Sequence, residues 1–128
     1  MADLDDGPVV VLVVEDETLV RLLANDILSE AGYRVLEARD GQEALTILEV
    51  HDDVGALFTD VNMPHVDGLS LAKIVAERWP QIGVVIASGV AEAPEGFRFL
   101  RKPYDSQAVL EAVGAAVAET AGSAGGSH

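Results

Sequence analysis

Residues Val9–Val14 read VVVLVV, an apolar run with no polar face. A strand with one wet side alternates apolar and polar residues. One that is apolar on both sides must be covered on both, as a central strand of a parallel sheet is. The run stops at Glu15-Asp16-Glu17. Whatever this chain folds into must cover a central strand from above and below and leave an acidic pair at its end.

The rest of the chain supplies the cover. In residues 18–31, Val20, Leu23, Ala24, Ile27, Leu28 and Ala31 stand at offsets 0, 3, 4, 7, 8 and 11, one helical stripe. Gly32 supplies the stop. Tyr33–Ala38 reads as a second strand. Asp40 and Glu43 form a D-x-x-E helix start, with Ala44, Leu45 and Leu48 turned inward. Ala56–Thr59 is a third strand ending at Asp60. A helix from Gly68 to Trp79 follows, with Leu71, Ala72, Val75 and Trp79 inward and Pro80 ending it. Ile82–Ala87 is a fourth strand and Phe97–Arg101 a fifth. Asp105 caps a last helix whose stripe is Val109, Leu110, Val113 and Val117. Gly114 inside that helix costs about 1 kcal/mol relative to Ala, so its end is expected to fray.

Strands alternating with helices imply a doubly wound α/β fold, a parallel sheet with helices on both faces. At 128 residues the chain suits one domain. Residues 1–8 and 121–128 read as tails and 9–120 as the domain. The chain has no cysteine, which excludes thiolate metal sites, disulfides and a cysteine nucleophile. Eight basic residues face 22 acidic ones, a formal charge of −14. That balance lacks the basic footprint of nucleic-acid binding and favours a bound cation or a positive partner. No apolar run approaches the ~20 residues of a membrane span, and the acidic N-terminus is not a signal peptide; the expected location is the cytoplasm.

Right-handed crossovers put the C-terminal ends of all strands at one edge, where ligands of such sheets bind. Glu15 and Asp16 follow strand one, Asp60 strand three, Ser88 strand four, and Lys102-Pro103 strand five. Three carboxylates crowded together repel one another, and a hard divalent cation with oxygen ligands relieves them. Lys102 and Ser88 are then placed to donate to phosphoryl oxygens.

This constellation resembles the receiver domain of two-component response regulators. The matching pieces are VVEDE (13–17), FTDVNMP (58–64), VDG (66–68), IASG (86–89) and FLRKPY (99–104). The resemblance implies a five-stranded flavodoxin-like or CheY-like sheet of order 2-1-3-4-5. It implies that Asp60 takes a phosphoryl group from a phosphohistidine of a histidine kinase or phosphotransfer protein, in a magnesium-dependent reaction that switches partner binding. By the same resemblance Asp16, Asp60 and the backbone carbonyl of Asn62 ligate Mg2+, with Glu15 acting through water. Lys102 contacts the phosphoryl group beside a cis bond to Pro103. Ser88 and Phe99 form the switch pair, and Val61 and Gly89 offer backbone N–H groups. His65 reads as exposed beside the site and Trp79 as a packing residue.

The chain departs from the family in two places. Ser88 is followed by Gly89 where Ala is common. Only nine residues, Gly89–Phe97, separate Ser88 from strand five, and Pro94, Gly89 and Gly96 among them oppose helix. The fourth helix of the family is therefore expected to be absent or about one turn long.

Three other readings compete. An aspartyl-phosphate phosphohydrolase usually carries a second carboxylate two residues after the nucleophile, where Asn62 stands. A nucleotide-binding module needs glycines after strand one, where EDETL stands. A degenerate receiver acting only as a binding surface would not need every acidic and basic site position filled. The expectation is a phosphorylation switch that modifies itself and turns over no external substrate, monomeric or weakly dimeric when phosphorylated. It is either a stand-alone regulator or the receiver of a hybrid kinase.

Overall fold

The computed structural model describes residues 8–61, 68–89 and 97–126, the last seven of them as backbone only. Five strands and four helices follow in the order β1 (Val10–Val14), α1 (Thr18–Glu30), β2 (Arg34–Ala38), α2 (Gly41–Val50), β3 (Val54–Asp60), α3 (Gly68–Arg78), β4 (Gly83–Ser88), β5 (Arg98–Arg101) and α4 (Ser106–Gly126). The strands form one parallel sheet of order β2-β1-β3-β4-β5. β1 is interior, and all five of its residues are buried.

Alternation along β1 divides the core in two. Val10, Leu12 and Val14 face one layer with Ala44 and Leu48 of α2 and Leu71 and Val75 of α3. Val11 and Val13 face the other with Ala24 and Leu28 of α1 and Val109, Val113 and Ala116 of α4. A period of two along the strand thus becomes two cores, one under each helix pair.

Local signals behave as their chemistry requires. The Asp40 side chain accepts from the Glu43 N–H at 2.8 Å, and the Glu43 carboxylate accepts from the Arg39 N–H at 2.7 Å. The first is the N-cap bond expected of a D-x-x-E start; the second reaches one residue further back, to the N–H before the N-cap Asp40. Gly32 takes a positive φ of 101° just past α1, the conformation that favours glycine.

Two expectations are modified. α4 continues to Gly126, past the boundary drawn at residue 120. Its packed turns carry the nucleation cost, and residues 121–126, AGSAGG, hold no proline to end the run, so each adds one bond. In α1, Leu23 is 55% exposed although it lies on the expected stripe. The fourth family helix is expected to be missing from Gly89–Phe97, and residues 90–96 of that segment lie outside the described residues. Among the described residues no helix is long and apolar enough to cross a membrane.

Candidate functional site

β1, β3, β4 and β5 end at one edge. The sheet order reverses between β1 and β3, which opens a crevice there. Glu15 leaves β1 buried, and its N–H is held by the Ala38 carbonyl at 3.1 Å. Asp16 follows it exposed. Asp60, the last residue of β3, is 7% exposed. Glu15, Asp16 and Asp60 each bring a carboxylate oxygen to within 4.8 Å of the others.

Lys102 enters from beyond β5. Its Nζ lies 2.8 Å from Asp60 Oδ1 and 3.4 Å from Glu15 Oε1. Its own N–H donates to the Ser88 carbonyl at 2.8 Å, which ties this loop to the end of β4. The Lys102–Pro103 bond is cis.

Burial pushes the Glu15 carboxyl above the ordinary carboxylate range. Asp60 adds to the shift, while the Glu17 N–H and Lys102 oppose it. Burial is also the largest influence on Lys102 and disfavours its charge. The hydrogen bond and charge of Asp60, with Glu15 behind, outweigh it and hold the ammonium above the ordinary lysine value. Burial likewise raises the phenol of Tyr104, whose ring meets Phe58 edge-on at 5.7 Å.

Ser88 is fully buried at the end of β4, and Phe99 is half-buried on β5 opposite Ile86. The Val61 N–H, expected to face the site, donates to the Ala87 carbonyl at 3.1 Å. Gly89 is exposed. Asn62 and His65 lie outside the described residues. Trp79 packs half-buried at the edge of the core, with the Arg78 guanidinium 4.4 Å from its ring centre.

Gly68 shows why VDG needs its glycine. A Cβ there would stand 1.9 Å from the Asp60 carbonyl oxygen and 2.8 Å from Val61 Cα, and both are backbone. Gly68 also donates its N–H to the Val61 carbonyl at 2.9 Å, so the start of α3 rests directly on the end of β3. Gly68→Ala is expected to destabilise the fold by about 1–3 kcal/mol. It should also shift the amide resonances of Asp60 and Val61. Urea unfolding and a two-dimensional amide spectrum check both.

One participant was missed in the sequence. Arg21 Nη1 donates to the Glu15 carbonyl at 2.8 Å, and its Nε to Glu37 Oε1 at 3.0 Å. The signal was available: Arg21 stands on the same helical face as Ala24 and Leu28, and a charge on a buried face needs a built partner.

Comparison with known proteins is consistent with this geometry. The family model described as the response regulator receiver domain matches residues 11–114. The sensor kinase CckA of Brucella abortus is 38% identical over 107 residues, covering 77% of this chain and 11% of the kinase. A chemotaxis protein CheY homologue of Campylobacter jejuni subsp. jejuni is 35% identical over 111 residues, covering 78% of this chain and 85% of the homologue. The crystal structure of the receiver domain from the hybrid histidine kinase CckA is 38% identical with a TM-score of 0.74, covering 84% of this chain and 98% of that one.

Proposed function

The chain belongs to the response regulator receiver domain family, and from that premise we propose that it is a magnesium-dependent phosphoacceptor whose nucleophile is Asp60. The donor in this reading is a phosphohistidine on a sensor histidine kinase or a histidine phosphotransfer protein. An Asp60 carboxylate oxygen forms the new P–O bond as the P–N bond of the donor breaks, and the electron pair leaves with the imidazole nitrogen. Water later releases the phosphoryl group, so the chain modifies itself and turns over no external substrate.

The observation that carries the reading is the meeting of Glu15, Asp16 and Asp60 with a single ammonium 2.8 Å from the Asp60 carboxylate. The donor set is oxygen only and suits a small hard cation that keeps several waters. Asp16 and Asp60 would hold magnesium directly and Glu15 through water, with the Asn62 carbonyl a further expected ligand. Bound magnesium supplies positive charge against the charge developing on the phosphoryl oxygens. Lys102, already at the Asp60 carboxylate, is the side chain placed to donate to those oxygens. Ser88 and Phe99 on the two neighbouring strands are the proposed switch pair that passes the change to an output partner.

The test uses a small phosphodonor in place of the kinase. The native chain is expected to gain one phosphoryl group with magnesium and none with excess chelator, read by intact-mass spectrometry. Labelling at equal rate in chelator would overturn the reading. Asp16→Ala should weaken magnesium binding by about tenfold or more, the usual consequence of losing a strong ligand contact. Because Asp16 is exposed, the same change should leave metal-free stability equal or slightly higher. Calorimetric titration and thermal unfolding in chelator check the two halves.

A further inference from the structure

Among the described residues no hydrogen bond or ion pair is made by the Asp16 side chain. Its carboxylate is exposed and stands beside two buried ones. What aims it is therefore backbone. The Glu15 carbonyl lies in the same rigid peptide plane as the Asp16 nitrogen and Cα, so whatever grips that oxygen orients Asp16. Arg21 grips it at 2.8 Å.

Arg21 is itself held. Its side chain is 11% exposed, and its Nε meets Glu37 Oε1 at 3.0 Å. The second Glu37 oxygen accepts from the Asn25 amide, and the Asn25 oxygen accepts from Ser29 Oγ at 2.7 Å. Glu37 precedes Ala38, whose carbonyl holds the Glu15 N–H. The Glu15 backbone is thus fixed at its N–H by β2 and at its carbonyl by a guanidinium that β2 also anchors. We propose that Arg21, oriented by Glu37, is a positioning residue for the metal site: it sets the Glu15–Asp16 peptide so that Asp16 is preorganised as a ligand.

The inference rests on the magnesium reading above. Its discriminating feature is a sign. Arg21 carries a positive charge near a cation site, so its removal should tighten magnesium binding if charge were its only influence. A role confined to stability leaves affinity unchanged. Positioning alone predicts weaker binding on removal, because an unaimed carboxylate must be ordered when the metal arrives.

The experiment is calorimetric titration of the full chain with magnesium at constant ionic strength, for the native protein, Arg21→Met and Arg21→Lys. Arg21→Met is expected to raise Kd about five- to tenfold. Arg21→Lys, which keeps the charge and one donor but loses the fork, should fall between it and the native chain. Amide exchange at Asp16 should quicken in the same order. Unchanged or tighter binding in the variants overturns the proposal. If Arg21→Met does not fold, the Arg21→Lys titration decides by the same criterion. Failure of the native chain itself to bind magnesium would overturn the underlying metal reading, and this one with it.

Discussion

Asp60→Asn is expected to take up no phosphoryl group under conditions where the native chain is expected to take up one. The argument is positional as well as chemical. Asp60 is the acceptor of Lys102 at 2.8 Å and lies at the end of β3, where the sheet order reverses. Glu15 is as deeply placed, but its Oε2 accepts the Glu17 N–H at 3.1 Å and its Oε1 faces the same ammonium. The amide is close in size to the carboxylate and keeps an oxygen for Lys102, so the fold should survive. Removing one charge from a crowded acidic cluster should leave metal-free stability no lower. Incubation with a small phosphodonor and magnesium, followed by intact-mass measurement, reads the result. Stoichiometric labelling of the variant would move the acceptor elsewhere.

Lys102→Met is the second large effect. It leaves Glu15 and Asp60, 5% and 7% exposed, without their shared cation. Breaking a buried pair by deleting one partner costs about 3–5 kcal/mol. The Lys102 side chain is 27% exposed, so water screens part of this, and about 1–3 kcal/mol is expected in chelator near neutral pH.

The pH dependence follows from the two raised groups. The ammonium is held above its ordinary value, so its contribution is complete below the ordinary lysine range and is lost as pH rises through the folded value. Glu15 is also raised, so its contribution is present below the ordinary carboxylate range and declines as pH rises through the folded value. The gap between native and variant is therefore widest between these ranges. It should close on the acid side as Glu15 protonates and on the alkaline side as Lys102 discharges. The variant should bind magnesium about tenfold more tightly, because the ammonium no longer competes for the same oxygens. Chelator-buffered urea titrations across pH, paired with calorimetry, check both statements. A stability loss independent of pH would count against the electrostatic account.

The central place of β1 was legible in Val9–Val14, because a strand with no polar side admits no exposed face. The layers followed from alternation of periods, and the placing of Asp16, Asp60, Ser88 and Lys102 at one edge followed from their standing at or just past the ends of their strands. Helix faces were legible at Ala44, Leu48, Leu71 and Val75 for the same reason. A stripe of period 3.6 shows which side is apolar without showing how widely a neighbour covers it. Leu23 belongs to the α1 stripe and is 55% exposed, because Ala24 and Leu28 of that face do the packing against the sheet.

Tertiary structure alone decided the pairings. Lys102 and Glu15 are 87 residues apart in the chain, and Arg21 reaches Glu37 across 16. The use of the Val61 N–H by the Ala87 carbonyl was likewise invisible, since it depends on the register between β3 and β4. Sequence periodicity reports a residue's side of its own element. A hydrogen bond or ion pair falls off within a few ångströms, so which charges meet is set by how the elements stack, and that is a property of the folded chain.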